Sequence, residues 1–291
     1  MVDDLTRRWF LGGAAAIIAA PSAFASTPVA RVITLEWTVA EIALSLGLSP
    51  VGCAEIGGYK AWVDVETARL SDSVDVGRRQ QPSLEAIRRL HPDIILTSHY
   101  RHASIAQALG AIATTHLIDD QPKDGDMLAS VYRSTRQVGE ALSRPLDATN
   151  LLKRFDDDIE NLRSRSASRI SARKLVVAQP LPGVPRLRIF APNAAICGIL
   201  QRLGFAQAMD LPPQPFGFTT IDLEGLAALD GDSTLIILAE KLPDDLAQSP
   251  LWPLLPVVRS GHVRLTGAPS WPFGSCASLT RLMTTITNQF N

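Results

Sequence analysis

The stretch VDVGRRQQPSLEAIRRLHPDIILTS, residues 74–98, decides the fold, because one short segment holds a turn, a capped helix and a buried strand. Ser83 is a good N-cap residue, and Leu84, Ile87 and Leu90 form an apolar stripe at helical spacing. The helix is expected to end just before the proline, since a residue that precedes proline disfavours the α region. The run DIILT is predicted as a strand buried on both faces, which indicates a parallel α/β sheet.

Strand-like and helical patterns alternate in two halves of the chain, which predicts two α/β lobes. Between the halves, two helical patterns follow one another and are interrupted at Pro145. A helix of about twenty residues spans roughly 30 Å as a stiff strut, so lobes joined by it are expected to move only modestly. The predicted organisation is an N-terminal lobe over 26–143, a connecting helix over 144–170 and a C-terminal lobe over 171–291.

Residues 1–25 have the pattern of an export signal. Arg7 and Arg8 precede an apolar run, and an A-x-A pattern predicts cleavage after Ala25. The arginine pair followed by Trp-Phe-Leu resembles the twin-arginine signal, with a general secretory signal as the alternative. The apolar run is too short to span a bilayer, and no cysteine follows the cleavage site to carry a lipid. We therefore expect a periplasmic location.

The composition is that of an ordinary globular protein, with 46% hydrophobic and 20% charged residues among 291. The 28 basic and 29 acidic residues leave a formal charge of −1, which gives no reason to expect a nucleic-acid partner. Cys53, Cys197 and Cys276 lack metal-type spacing and lie among small or apolar residues. They are interpreted as buried thiols, with one disulfide as the alternative.

Evidence for catalysis in the sequence is weak. Ser171 and Lys174 match the S-x-x-K pattern, but they stand at the entry to a predicted strand without companion motifs. His99 and His102 are the only close histidine pair, and no further metal ligands are spaced to complete a site. No catalytic residue and no metal ligand is therefore predicted. A secreted α/β hydrolase or transferase stays as an alternative that depends on Ser171 and Lys174.

Aromatic residues on loops at strand ends indicate a binding pocket more than a core. Arg79, in the turn after Gly77, is the candidate cation, because charge-assisted hydrogen bonds to ligand oxygens are worth about 1.5–3 kcal/mol each. Its neighbour Arg78 is interpreted as solvated. The candidate wall residues are Trp37, Trp62, Phe216, Phe218, Trp271 and Phe273.

A family likeness is carried by four stretches, DVGRRQQPSLEAIRRLHPDIIL, RVITLEWTVAEIALSLGLSPVG, RIFAPNAAICGIL and SPLWPLLPVVRSGHVRL. They resemble the helical-backbone class of periplasmic binding proteins that feed ABC importers, for which P-x-L-E-x-I-x-x-L-x-P-D is specific. The LEW opening, the AWV near Trp62 and the position of Arg79 resemble the iron(III)-hydroxamate (ferrichrome) siderophore-binding proteins within that class. The likeness extends from about residue 31 to residue 283.

The resemblance implies a class III fold, in which two α/β lobes enclose a ligand cleft and are joined by one long interdomain helix. It implies a non-enzymatic, monomeric carrier without a cofactor, because siderophore oxygens coordinate the iron. The implied partners are a ferric hydroxamate siderophore and an inner-membrane ABC permease. Another bulky chelate, such as haem, cobalamin or a catecholate siderophore, is the alternative ligand. A catecholate complex carries more negative charge and would need several cleft arginines.

The resemblance also assigns roles to residues. Arg79 takes the place of the arginine that hydrogen-bonds hydroxamate oxygens. The family tyrosine falls at Tyr100 or, in an ungapped alignment, at Arg101, and both assignments stay open. Glu85 and Glu224 match the lobe-top glutamates that engage arginines of the permease. Wall positions of the family match Trp37, Trp62, Trp271 and Phe273, with Phe216 where tryptophan often stands and Phe218 where serine can stand.

Overall fold

The structure of the chain is a computed structural model that describes residues 30–122, 125–268 and 270–290. The predicted export signal, residues 1–25, and its cleavage site lie outside the described residues. None of the helices in the described part combines the length and hydrophobicity that crossing a bilayer requires.

Short strands form the centre of the N-terminal lobe. They are β1 (Val32–Thr34), β2 (Gly52–Cys53), β3 (Val74–Asp75), β4 (Gly77–Arg78), β5 (Gln81–Pro82), β6 (Ile94–Ser98) and β7 (Thr114–Ile118). In the described residues a five-stranded parallel sheet has the order β3-β2-β1-β6-β7, and β4 pairs with β5 as a separate hairpin. Ile33 of β1 pairs with Ile95 of β6, and both side chains are fully buried. This confirms the predicted strand that is covered on both faces.

Helices cover this sheet on both sides. They are α1 (Trp37–Ser45), α2 (Ile56–Trp62), α3 (Leu84–Arg89), α4 (His99–His102) and α5 (Ala106–Gly110). Helix α3 confirms its prediction, because the Ser83 hydroxyl accepts a hydrogen bond from the Ala86 amide at 3.2 Å. His91 adopts a φ of +44°, so the chain leaves the helix just before Pro92.

Two long helices follow the N-terminal sheet, α6 (Met127–Ala141) and α7 (Pro145–Ile170). The predicted interruption at Pro145 is the boundary between them. Pro145 lies in the first turn of α7, where its missing amide hydrogen costs no helical hydrogen bond. At 26 residues, α7 is the stiff connection between the lobes that the sequence predicted.

The C-terminal lobe has a mixed sheet. Its strands are β8 (Lys174–Pro180), β9 (Leu187–Phe190), β10 (Ala206–Gln207), β11 (Phe218–Ile221), β12 (Thr234–Ile237) and β13 (Val263–Leu265). The order is β11-β9-β8-β12-β13, with β10 paired to β8. β9 runs antiparallel to β8, because the short link 181–186 contains no crossover helix. The helices are α8 (Ala195–Leu203), α9 (Leu223–Leu226), α10 (Asp244–Ala247), α11 (Pro256–Arg259) and α12 (Cys276–Asn288).

Helices α6 and α12 pack on both lobes. Leu128 of α6 belongs to the core of the C-terminal lobe, whereas Val138 of the same helix belongs to the core of the N-terminal lobe. Leu279 of α12 packs in the C-terminal core, and Ala277 packs against the N-terminal cluster. We propose to keep the limits 26–143, 144–170 and 171–291 for the lobes and the connecting helix, with α6 and α12 as elements shared between lobes.

A buried carboxylate joins the lobes at the start of α12. The Glu41 side chain of α1 accepts hydrogen bonds from the amides of Ser275 and Ser278 at 2.9 and 2.8 Å. It also accepts one from the Ser278 hydroxyl at 2.8 Å. Burial raises the pKa of Glu41, and these hydrogen bonds oppose that rise. An acid of the first lobe therefore caps a helix of the second.

The three cysteines are free, buried thiols, as predicted. Burial raises the pKa of Cys53 to about 11, and the pKa values of Cys197 and Cys276 to about 12. Within the described ranges, His, Cys, Asp and Glu residues form no group of three or more that could hold a metal ion.

Candidate functional site

A cavity of about 380 Å³ lies between the two lobes. In the N-terminal lobe its lining residues follow the carboxyl ends of parallel strands, which is where α/β folds place ligands. Glu36 follows β1, Arg101 follows β6 and Asp120 follows β7. From the C-terminal lobe, Arg188 and Phe190 of β9 line the opposite side.

Most of the predicted contact residues meet at this cavity. Two predicted wall residues, Trp37 and Trp62, do not line it, and their role as ligand contacts stays a prediction. Trp37 is only 3% exposed and lies beneath Arg79, whose guanidinium carbon is 3.5 Å from the ring centroid. Trp62 ends α2 with 40% of its surface exposed. The residues that do line the cavity are Arg79, Tyr100, Arg101, Phe216, Phe218, Trp271 and Phe273.

One buried carboxylate organises the cationic side of the cavity. Glu36 Oε1 accepts a hydrogen bond from Arg79 Nη1 at 2.9 Å, and Glu36 Oε2 accepts one from Arg101 Nε. Its Oε1 also accepts from the Trp37 amide at 3.1 Å, so Glu36 caps α1. Arg79 makes a second ion pair, from Nε to Glu55 Oε2 at 3.4 Å. Acidic groups therefore compensate both arginines.

A tight hairpin presents Arg79 to the cavity. Because Arg78 pairs with Gln81, Arg79 and Gln80 form a two-residue loop between β4 and β5. Gly77, which precedes the loop, has a φ of +98°, and a Cβ there would lie 3.2 Å from the Ser83 amide nitrogen. Arg78 is exposed and does not line the cavity, in agreement with its interpretation as a solvated residue.

The opposite wall is a continuous group of aromatic rings. Phe273 lies 5.6 Å from Phe190, 5.6 Å from Phe218 and 5.4 Å from Trp271, measured between ring centroids. Arg188 stacks on this wall, with its guanidinium carbon 5.0 Å from the Phe218 centroid. The rings present an apolar surface with cations at its edge.

Two aromatic rings meet across the entrance of the cavity. Tyr100 of the N-terminal lobe and Phe216 of the C-terminal lobe are 55% and 44% exposed, and both line the cavity. Their ring centroids are 5.7 Å apart in an edge-to-face arrangement. Gly217 makes this possible, because its φ is +69° and a Cβ there would lie 2.4 Å from the Met127 sulfur. Tyr100 thus lies at the mouth, whereas Arg101 is tied to buried Glu36.

A model of the periplasmic binding protein family matches residues 32–269. The chain belongs to this family. It is 28% identical over 263 residues to the iron(3+)-hydroxamate-binding protein FhuD of Escherichia coli (strain K12), covering 89% of this chain and 86% of the relative. It is 25% identical over 249 residues to the achromobactin-binding periplasmic protein of Dickeya dadantii (strain 3937), covering 83% and 79% of the two chains.

A solved structure shares the fold of this periplasmic binding protein. The siderophore-binding protein FhuD from Vibrio cholerae, solved with bound Fe3+–Desferal, superposes with a TM-score of 0.81 at 23% identity. The superposition covers 90% of this chain and 98% of that chain. The two-lobed class III architecture expected from the sequence is therefore confirmed, and the family consists of binding proteins rather than enzymes.

The hydrolase alternative has no support in this periplasmic binding protein. Ser171 and Lys174 are exposed, and neither lines the cavity between the lobes. Lys174 Nζ instead lies 3.4 Å from Asp230 Oδ2. Glu85 and Glu224 are exposed in the first turns of α3 and α9.

Three cavity-lining charged residues were absent from the sequence-based site, namely Glu36, Asp120 and Arg188. Glu36 stands in the LEW motif directly after a predicted strand, so its position was a usable signal. Asp120 comes two residues after β7, which is also the carboxyl end of a strand. Arg188 lies within β9 between buried Leu187 and Ile189. Strand alternation predicts that its side chain lies on the opposite face of the sheet from these two, but not that this face lines the cavity.

Proposed function

We propose that this protein captures ferric hydroxamate siderophores in the periplasm and delivers them to an inner-membrane ABC permease for iron uptake. The observation that carries the proposal is the sharing of the Glu36 carboxylate between Arg79 and Arg101. Two guanidinium groups can donate hydrogen bonds to ligand oxygens, yet acids already balance their charge. Such a site favours a ligand that is rich in oxygen and has little net charge.

Ferric hydroxamates meet this description better than the alternative chelates. Three singly charged hydroxamates neutralise Fe(III), whereas three doubly charged catecholates leave a trianion. Each additional negative charge buried in the cleft needs a cation, because an unpaired buried charge is costly. Arg79 and Arg101 are already committed to Glu36, and Arg79 also to Glu55. The remaining cleft arginine, Arg188, donates a hydrogen bond to the neutral Gln179 side chain, so the described residues offer one cleft cation without a paired acid, fewer than a trianion needs. The relative named for iron(3+)-hydroxamate supports the same choice.

The aromatic wall suits the organic part of such a chelate. Trp271, Phe273 and Phe218 offer flat apolar surfaces for the hydrocarbon backbone of the siderophore. The iron is cargo in this proposal, held by siderophore oxygens, so the protein contacts the chelate and supplies no cofactor. Tyr100 and Arg101 both remain candidates for the second contact to hydroxamate oxygen beside Arg79.

Titration of intrinsic tryptophan fluorescence tests the proposal. Trp271 lines the cavity, and the ring centroid of Trp37 lies 5.0 Å from that of Trp271. The panel contains ferrichrome, ferrioxamine B, coprogen, a ferric tris-catecholate, ferric citrate, haem and cobalamin. We expect at least one hydroxamate to quench the fluorescence with the tightest dissociation constant. Tighter binding of the catecholate, citrate, haem or cobalamin than of every hydroxamate would contradict the proposal.

Glu85 and Glu224 are proposed as the contacts to the permease. Glu85 pairs with Arg89 at 2.6 Å on the exposed face of α3, so its side chain is accessible to a partner. One exposed ion pair contributes about 0–1 kcal/mol, so these residues are expected to orient the complex rather than provide its affinity. Replacing both by alanine should slow transport in a reconstituted system and leave siderophore affinity unchanged.

A further inference from the structure

Asp120 differs from the other acid that lines the cavity. Glu36 is held by two arginines, whereas Asp120 makes no ion pair within the described residues. Its Oδ1 atom is buried and has no hydrogen-bond partner there. A buried carboxylate oxygen without a donor costs free energy that a donor from a ligand would recover. The χ2 torsion of aspartate is broad, so the carboxylate can turn either oxygen toward a ligand group.

We infer that Asp120 is a specificity residue of the cleft that selects ferric hydroxamates carrying a free ammonium group. The inference rests on the proposed function, because it concerns a ligand bound in the same cavity. A primary ammonium is the donor that fits best, since it brings both a hydrogen bond to Oδ1 and an opposite charge, neither of which the described residues supply.

The local electrostatics favour a cation at this position. Burial raises the pKa of Asp120, and a hydrogen bond from Ser98 opposes the rise. The negative charge of Glu36 raises it further and outweighs the opposing effect of Arg101. Burial is therefore the main cause of the raised pKa of Asp120, and the nearby charges of Glu36 and Arg101 act on it in opposite directions. A ligand ammonium here would supply a counter-charge to Asp120, which forms no ion pair with any residue that the structure describes.

The position in the fold explains why the contact is available. Asp120 follows β7, the edge strand of the N-terminal sheet, and Gln121 beside it also lines the cavity. The corner lies beside the cluster that holds Arg79 and Arg101, so one ligand can reach both. The chelate oxygens would face the arginines while an amine-bearing arm extends to Asp120.

Two ligands that differ only in this amine test the inference. Ferrioxamine B carries a free terminal ammonium, and N-acetylferrioxamine B has the same chelate with a neutral amide in its place. We expect the wild-type protein to bind ferrioxamine B about tenfold more tightly, as one charge-assisted hydrogen bond would give. In the Asp120→Asn variant, which keeps the shape of the side chain, the two ligands should bind within about twofold of one another.

Asp119→Asn is the matched control, because it removes the same charge one position away at a side chain that pairs with Arg133. This variant should keep the wild-type preference for ferrioxamine B. Equal wild-type affinity for the two ligands overturns the inference, as does an Asp120→Asn variant that keeps the full preference. Wild-type protein that binds neither of these ligands nor any other hydroxamate overturns the proposed function itself.

Discussion

At the scale of single residues, Arg79 is the donor on which ligand affinity is expected to depend. Its guanidinium stacks on Trp37 and is held by Glu36 and Glu55, so it is pre-oriented toward the cavity. We expect Arg79→Ala to weaken ferric hydroxamate binding by at least about tenfold, because a charge-assisted hydrogen bond is worth about 1.5–3 kcal/mol. Fluorescence titration measures the change. The exposed neighbour gives the control, since Arg78→Ala should leave the affinity unchanged, and an unchanged affinity in Arg79→Ala would sink the assignment.

Glu36 sets the charge of the same site, and its replacement should change which ligand is preferred. Glu36→Gln keeps the shape but removes the charge that balances Arg79 and Arg101. We expect the ratio of affinities for a ferric tris-catecholate and a ferric hydroxamate to rise by about tenfold or more, because Arg79 and Arg101 both lose this acidic partner, although Arg79 keeps its ion pair with Glu55. Isothermal titration calorimetry with both ligands provides the ratio. Glu66→Gln, at an exposed acid paired with Arg69, should leave it unchanged, and an unchanged ratio in Glu36→Gln would refute the charge argument.

At the scale of elements, α4 carries two site residues on a turn that is fastened by a buried histidine. His102 follows Tyr100 and Arg101, and its Nδ1 lies 2.5 Å from the Thr97 hydroxyl. Burial lowers the pKa of His102 below its ordinary value of about 6.5. Between these two pKa values the unfolded chain binds more protons than the folded chain. The stability that the folded protein gains from keeping His102 neutral is therefore fully present above about pH 6.5. It is lost as the pH falls toward the pKa of His102 in the folded state.

This sign gives a measurable pH dependence. We expect urea unfolding to show that the His102→Asn variant loses less stability than the wild type when the pH is lowered from about 7.5 to 5.5. His99→Asn, at an exposed histidine of the same helix, is the control and should follow the wild-type profile. If the His102→Asn and wild-type profiles were parallel, this histidine would not be the source of the pH dependence.

The elements that were predicted well from the sequence are those whose spacing of apolar residues directly reflects which of their side chains are buried. β1, β6, β8 and β12 are short apolar runs, and α6 and α7 have long helical periodicity, so each could be predicted from neighbouring residues alone. The β4–β5 hairpin escaped prediction, because each strand has two residues and depends on distant partners. The Gly77 carbonyl, for example, accepts a hydrogen bond from the Glu55 amide at 2.8 Å.

The same distinction explains the site. Arg79 was predicted as a ligand contact because a turn and a family motif surround it, and it lines the cavity. The position of Glu36 depends instead on arginines 43 and 65 positions away in the chain. Trp37 was assigned to the wall because it follows a strand, but it is the first residue of α1 and packs beneath Arg79. The local sequence pattern shows that a residue follows a strand. Whether its side chain faces the cavity or packs behind the lining residues depends on tertiary packing.

At the scale of the whole molecule, α7 is not the only connection between the lobes, because Glu41 fastens α1 to the start of α12. Arg281 of α12 adds a second tie, donating a hydrogen bond from Nη1 to the Asp64 carbonyl at 3.1 Å. Thr38 donates one to the Phe273 carbonyl at 3.0 Å, which joins the start of α1 to the aromatic wall. These contacts therefore tie the lobes together in addition to α7.

Removal of the Glu41 cap should therefore weaken both stability and the coupling of the lobes. Glu41→Ala leaves the buried amides of Ser275 and Ser278 without their acceptor, which we expect to lower the free energy of unfolding by about 2–4 kcal/mol. Urea unfolding measures this loss, and small-angle scattering of the ligand-free variant should give a larger radius of gyration than the wild type. Glu140→Ala, at an exposed acid of α6, should change stability by no more than about 0.5 kcal/mol. A Glu41→Ala loss as small as that of the control, with an unchanged radius of gyration, would mean that α7 alone sets the spacing of the lobes.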